Sequence, residues 1–359
     1  MYLFKRYVIL LVSVLLATAC KKNKDKQEEP EKVYETHQYT SGYHSANTIE
    51  QACYWKDTTR VTLDGGADKT GQAYNVFVTG NDIYVTGRTR QTPCYWKNGV
   101  RTDLSVLTTF GLAVYIYVSG DTVCVAGVVK NAFNQYIPCF WKNGARTDLP
   151  MLNNTASGEG SVSAIYMKDN IVYTAGHTKS TTSGFVPCYW RNDLRVTDLS
   201  KPFPTRQALS SGIAVAGTDV YVSGYAYDTS NLRIPCYWKN GVRTDLPKLN
   251  DSKDGDATDV YVNGADVYVT GSTNAASPLL GVPCYWKNGV RVDLFNSGPY
   301  RHAFASHLYL VDKDVYVAGF IQNASGTYIP CYWKNGVRSD SNIKLETDAF
   351  INRTITATH

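Results

Sequence analysis

The stretch Pro283-Cys284-Tyr285-Trp286-Lys287-Asn288-Gly289-Val290-Arg291-Val292-Asp293-Leu294 recurs, with small changes, along the whole chain. Its copies begin at Cys53, Cys94, Cys139, Cys188, Cys236, Cys284 and Cys331, 41 to 49 residues apart. All seven Trp residues (Trp55, Trp96, Trp141, Trp190, Trp238, Trp286 and Trp333) stand two places after one of these cysteines. A period of this length marks a propeller, a solenoid or an array, because one such unit cannot bury its apolar face alone.

Each copy reads as a hairpin. An apolar run enters Lys-Asn-Gly, and a short strand follows. Asn-Gly supplies the two positive-φ positions of a type I′ turn, whose twist matches that of paired strands. Two copies spell the turn differently, as Arg191-Asn192-Asp193 and Lys56-Asp57-Thr58. Asn and Asp still tolerate the left-handed backbone better than most residues. A second hairpin precedes each copy, as in Val76-Phe77-Val78-Thr79-Gly80-Asn81-Asp82-Ile83-Tyr84-Val85-Thr86-Gly87. Two hairpins give four strands per unit, named A to D.

The first unit lacks strand A. Tyr39-Thr40-Ser41-Gly42 matches strand B, and C and D follow at Cys53–Lys56 and Val61–Leu63. At the other end, Glu346–Arg353 has the pattern of a strand A with no C or D after it. Six complete units and one assembled from both ends predict an all-β, seven-bladed propeller closed by its termini. Closure removes the exposed end unit that an open array would leave. Ile355–His359 competes with Tyr39–Gly42 for the role of strand B in this reading. The strands are continuous apolar runs, as expected of sheets covered on both faces. Cys and Trp share one face of strand C, and each Trp is expected between blades with its N–H hydrogen-bonded.

Residues 1–19 read as a signal peptide. Lys5 and Arg6 precede an apolar run from Tyr7 to Leu16, then Ala17-Thr18-Ala19-Cys20. The run is short of the about 18 residues needed to span a bilayer. The segment resembles a bacterial lipoprotein signal, with its usual Leu displaced by one place to Leu16. That resemblance implies lipidation of Cys20 and, from Lys21, sorting to the outer membrane, with either face open. An ordinary secretory signal is the alternative. Residues 20–36 form a charged tether without apolar periodicity, and residues 37–359 the propeller domain.

Taking Lys5 and Arg6 from 36 basic residues, against 31 acidic, leaves the mature chain near +3. With no basic run inside the repeats, this gives no footprint for nucleic acid. The repeated cysteines are expected to be buried free thiols. Sevenfold-related positions at a radius of roughly 10 Å lie roughly 9 Å apart, whereas a disulfide needs Cα atoms about 4.4–6.8 Å apart. No cofactor or metal is expected, since no His or second Cys stands at ligand spacing.

The unit resembles the extracellular HAF-type repeat, in which an aromatic-Trp strand, a Gly turn and an Asp-Leu close each unit. Here Pro-Cys stands in place of the His-Ala-Phe that names it. The resemblance covers most of residues 37–353 and implies architecture, not activity. The whole chain also resembles the repeat lipoproteins common in Bacteroidetes.

Function is expected on the face that carries the B–C and D–A loops, because those segments vary between units while the A–B and C–D turns do not. The B–C loops are expected from Arg88, His177 and Tyr225 onward, and a D–A loop over Phe295–Ala303. Residues that break the repeat there are the candidate binding set: Arg88, His177, Tyr225, Tyr227, Tyr300, Arg301 and His302. Their aromatic, Arg and His side chains suit stacking on sugars and bonding hydroxyls. The sequence holds no Gly-x-Ser-x-Gly, His-Glu-x-x-His or phosphate loop. Asn250–Gly255 resembles part of a calcium loop but lacks its twelfth acidic ligand, and reads as a solvated turn. The reading is a non-catalytic binding or scaffold module for glycan or envelope protein. The alternative is a polysaccharide hydrolase or lyase using loop carboxylates, such as Asp254 and Asp256, with His177 or His302.

Overall fold

The computed structural model describes residues 36–46, 49–65, 70–152, 158–181, 184–199, 206–275, 281–294, 300–340 and 349–358. Residues 1–35, which hold the expected signal, Cys20 and nearly all of the tether, lie outside them. The described chain forms seven four-stranded antiparallel sheets and no helix. Blade 2 shows the unit: Gly71–Thr79, Asp82–Thr89, Thr92–Lys97 and Val100–Asp103, paired in that order.

Blade 1 joins the two ends. Strand A is Ala349–Thr358 and pairs with strand B, Thr36–Ala46; C and D are Ile49–Lys56 and Thr59–Thr62. Ile355 pairs with Tyr39 and Thr358 with Thr36. Ile355–Thr358 therefore continues strand A past a register shift instead of competing with strand B. One long edge collects more ladder bonds than two short ones.

The local rules of the sequence explain the turns. Asn98 and Gly99 sit at φ 50° and 83°, as do their equivalents in four other blades, near those values. In blades 1 and 4 only the first turn residue, Asp57 (φ 51°) or Asn192 (φ 53°), is left-handed. The turn side chains then clamp the neighbouring hairpin. Ile83 N–H donates to Asn98 Oδ1 at 2.9 Å, Asn98 Nδ2 donates to Asp82 Oδ1 at 2.8 Å, and Lys97 meets Asp82 at 2.8 Å. Blades 5, 6 and 7 repeat the Lys–Asp pair at Asp219, Asp266 and Asp314. Uniform Lys-Asn-Gly is thus a scaffold device.

The core lies between blades. One cluster joins Ala214, Tyr221 and Leu246 of blade 5 to Val260, Val269, Cys284 and Trp286 of blade 6, and the other described clusters are divided in the same way. Trp96, Trp141, Trp190 and Trp286 each donate an indole N–H to a backbone carbonyl of the preceding blade, at Asp64, Ser105, Pro150 and Pro247, at 2.9–3.0 Å. The acceptor always follows the Leu that ends the unit, which explains the repeated Asp-Leu. The eight cysteines from Cys53 to Cys331 are buried thiols, and none of them forms a disulfide. Strand D carries Arg–Asp pairs such as Arg243–Asp245 at 2.7 Å, which put charge on the outer edge of the blade.

Glycine is required in strand B. Strand A has a register shift beside it, and a Cβ on Gly271 would stand 1.9 Å from the Asp256 carbonyl oxygen and 2.9 Å from the Trp286 ring.

Candidate functional site

Strand B does not stop at that glycine. It runs on to Thr89 in blade 2, Lys179 in blade 4 and Tyr227 in blade 5, and strand C begins early to pair with it. Arg88, His177, Tyr225 and Tyr227 are therefore strand residues, not loop residues. Tyr300, Arg301 and His302 likewise belong to strand A of blade 7, Tyr300–Val311. Backbone pairing continues past a side-chain pattern that looks like a loop, because any residue can keep the ladder. The true loops are shorter, only Arg90-Gln91 in blade 2.

The candidates do not meet in one place. Those whose side chains are described divide among clefts between adjacent blades on the loop-bearing face. Tyr225 and Tyr227 meet edge to face at 5.7 Å, and the Arg233 guanidinium lies 5.5 Å over Tyr225. Arg233 also bridges both carboxylates of the next blade, Asp254 at 3.2 Å and Asp256 at 2.8 Å. Burial raises the Asp256 carboxyl to about 6, with Arg233 opposing and Asp254 adding. The carboxylate pair is thus held on one guanidinium, not set across an open gap as glycosidic cleavage requires.

His302 is half-buried, and burial lowers its pKa. Tyr300 and Arg301 open its strand; their side chains are not among those described. Asn250–Gly255 is a turn closed by protein groups. Asn250 Oδ1 accepts from Ser252 N–H at 3.0 Å, and Lys248 Nζ donates to the Asp251 and Lys253 carbonyls, both at 2.8 Å.

The remaining two candidates belong to one continuous strip. Between blades 3 and 4 a cavity of about 220 Å³ is lined by Leu112, Val128, Tyr136, Glu159, Ser161, His177 and Phe185. His177 meets Phe185 edge to face at 4.8 Å. Burial lowers its pKa to about 4, so the imidazole is neutral at pH 7. Its Nδ1 is buried without a protein hydrogen bond.

Tyr136, on the far wall, lies 4.8 Å under the Lys130 amine. Lys130 also stands 5.1 Å over Phe110, and Arg88 lies 6.0 Å over the same ring. Arg88 is fixed by Gln72, whose Oε1 accepts from Arg88 Nε and Nη2 at 3.2 and 3.0 Å. Gln72 in turn donates to Glu50 at 2.6 Å. The strip thus crosses blades 2, 3 and 4.

A second cavity, about 440 Å³, occupies the central channel. Among the described residues, only those of strand A line it. The fifth position of that strand, counted in blade 7 from Ala303, reads Asn75, Tyr115, Ala164, Gly212, Asp259 and His307 in blades 2 to 7. The seventh reads Phe77, Tyr117, Tyr166, Ala214, Tyr261 and Tyr309, an aromatic collar interrupted at blade 5. His307 Nδ1 meets Asp259 at 2.5 Å. Tyr117 and Tyr166 rings lie 4.7 Å apart, and burial with the nearby Tyr166 pushes the Tyr117 phenol well up. The cavity lies along the second half of strand A, toward the A–B turns. The sequence reading of the loop face missed it. Its signal was present, since one position of strand A changes chemistry from blade to blade between constant flanks.

Fold and clefts together define a closed seven-bladed β-propeller with clefts between its blades and a lined channel. The β-propeller domain of the Trilobed protease from Pyrococcus furiosus is similar at 8% identity, covering 86% of this chain and 96% of that one, with a TM-score of 0.51. SapL1 lectin in complex with alpha methyl fucoside is similar at 11% identity, covering 77% and 97%, with a TM-score of 0.47. A thermostable family-43 glycoside hydrolase gives 12% identity, 64% and 93% coverage and a TM-score of 0.37. At these identities the likeness concerns the fold. No family model and no curated relative matches the chain.

Proposed function

We propose that this protein is a non-catalytic glycan-binding propeller, held at the bacterial envelope by a lipid on Cys20. Ligand binds along the strip from Arg88 to His177. The observation that carries this reading is the cavity between blades 3 and 4. It sets the rings of Tyr136 and Phe185 beside a neutral imidazole, the Ser161 hydroxyl and the Glu159 carboxylate. Apolar ring faces with a few converging polar groups are what a sugar ring requires, one side to stack and an edge to hydrogen-bond. The Lys21 position and the basic-apolar leader support the envelope assignment.

Glycan-array binding of the mature chain tests it. Binding is expected to fall about tenfold or more in His177→Ala and in Phe185→Ala, with Tm kept. Absence of any ligand across a broad panel would overturn it. The hydrolase or lyase reading has one observation in its favour, the Asp256 carboxyl raised to about 6, within the range of a general acid. Polysaccharide turnover that is lost in Asp256→Asn, Asp254→Asn or His302→Ala would replace the binding reading.

A further inference from the structure

We infer that the groove between blades 2 and 3 is a subsite for acidic sugars. It takes the carboxylate or sulfate ester of a charged polysaccharide. This rests on the glycan-binding reading and specifies the class of glycan. Arg88, Arg90, Gln91, Thr92 and Thr109 line a groove of about 700 Å³. Gln91 and Thr109 carry it into a second stretch of about 500 Å³ past Phe110, Lys130 and Asn131. Arg88, Arg90 and Lys130 line this path, and among the described residues no carboxylate does.

The charges here differ from those of most C–D turns and of the blade edges. The turn lysines Lys97, Lys239, Lys287 and Lys334 each face an aspartate at 2.7–2.8 Å. The strand D arginines Arg101, Arg146, Arg195, Arg243 and Arg291 each hold an aspartate, and Arg233 holds two. Arg88 instead spends two donors on a neutral amide oxygen, and Lys130 lies over two aromatic rings. Among the described residues, neither makes an ion pair. Glu50 is engaged by Gln72.

Cations that are preorganised but not neutralised favour an anionic guest, because charge-assisted bonds are roughly twice as strong as neutral ones. A saccharide fits better than an acidic peptide for two reasons. The groove wall offers the Phe110 ring among amide and hydroxyl side chains that can bond sugar hydroxyls. Lys130 of the groove also lies over Tyr136 of the cavity that holds His177, so the acidic subsite adjoins the proposed sugar site.

The test measures binding of the full mature chain to polygalacturonate, dextran sulfate, neutral dextran and polyglutamate by calorimetry at low and at physiological salt. Polygalacturonate separates a carboxylate source from the sulfate source. At least one of the two is expected to bind, more weakly as salt screens the groove. Arg88→Gln and Lys130→Gln should each reduce affinity about tenfold or more with Tm unchanged. Lys130→Gln disturbs no described hydrogen bond, so it stands if Arg88→Gln misfolds.

Equal binding of polyglutamate, or unaltered affinity in both variants, would overturn the assignment. Binding of neutral glycans alone, lost in Phe185→Ala but kept in Lys130→Gln, would remove the acidic subsite and leave the glycan reading intact. Binding of no saccharide at all would remove both.

Discussion

Trp286→Ala tests the physical basis of the ring. The indole is fully buried and joins the walls of two blades, with Leu246 and Tyr221 on one side and Val260, Val269 and Cys284 on the other. Removing it costs about 3–5 kcal/mol in transfer and cavity terms. The upper part of that range applies, because Gly271 presses the backbone onto the ring and leaves little room for collapse. The Pro247 carbonyl also loses its donor, at 2.9 Å, which adds about 1–3 kcal/mol where water cannot reach it. The sum is about 5–8 kcal/mol. At about 2 °C per kcal/mol for a large domain, Tm falls by roughly 10–16 °C. Urea titration should show a lower midpoint with an unchanged slope. Trp286→Phe keeps most of the ring and loses the N–H, so it isolates the hydrogen bond. A loss below about 1 kcal/mol in Trp286→Ala would refute the claim that the Trp row is the core between blades.

Four other outcomes follow from the same geometry. Deleting 349–359 removes strand A of blade 1, and thermal denaturation should show loss of cooperative folding; an unchanged melt would mean that the ring needs no closure. Gly271→Ala puts a methyl 1.9 Å from the Asp256 carbonyl oxygen and should cost about 3 kcal/mol or more, whereas a neutral change would deny the close approach of strands A and B. His177 has a folded pKa near 4, below the ordinary 6.5, so its stabilising contribution is complete above 6.5 and is lost as pH falls toward 4. Wild type should lose roughly 2–3 kcal/mol relative to His177→Gln across that window, and a flat difference would place the imidazole in water. Ala214→Tyr completes the collar with the residue that blades 3, 4, 6 and 7 carry there, so stability should stay within about 1 kcal/mol, and a larger loss would show that the gap in blade 5 is already filled.

The sequence by itself determined the architecture. A repeat that carries its own turn residues, apolar runs and Trp leaves one way to bury every face, and strand patterns at the two ends specify the closing blade. Asn-Gly, the strand B glycine and the Asp-Leu end are local requirements, and each unit states them again. The site was legible only in part. His177 and Arg88 stood out because they break the repeat, but their partners Phe185, Tyr136, Phe110 and Gln72 come from other strands or other blades.

Tertiary structure alone decided which pattern-breaking residues share a cleft, that Arg233 joins Asp254 to Asp256, and that the fifth position of strand A lines a channel. Strand boundaries past the glycine also escaped the sequence, since ladder bonds belong to the backbone and leave no mark on side-chain pattern. Local rules repeat with the unit and are read from it. Juxtaposition between units depends on how seven sheets pack around one axis, and no single repeat contains it.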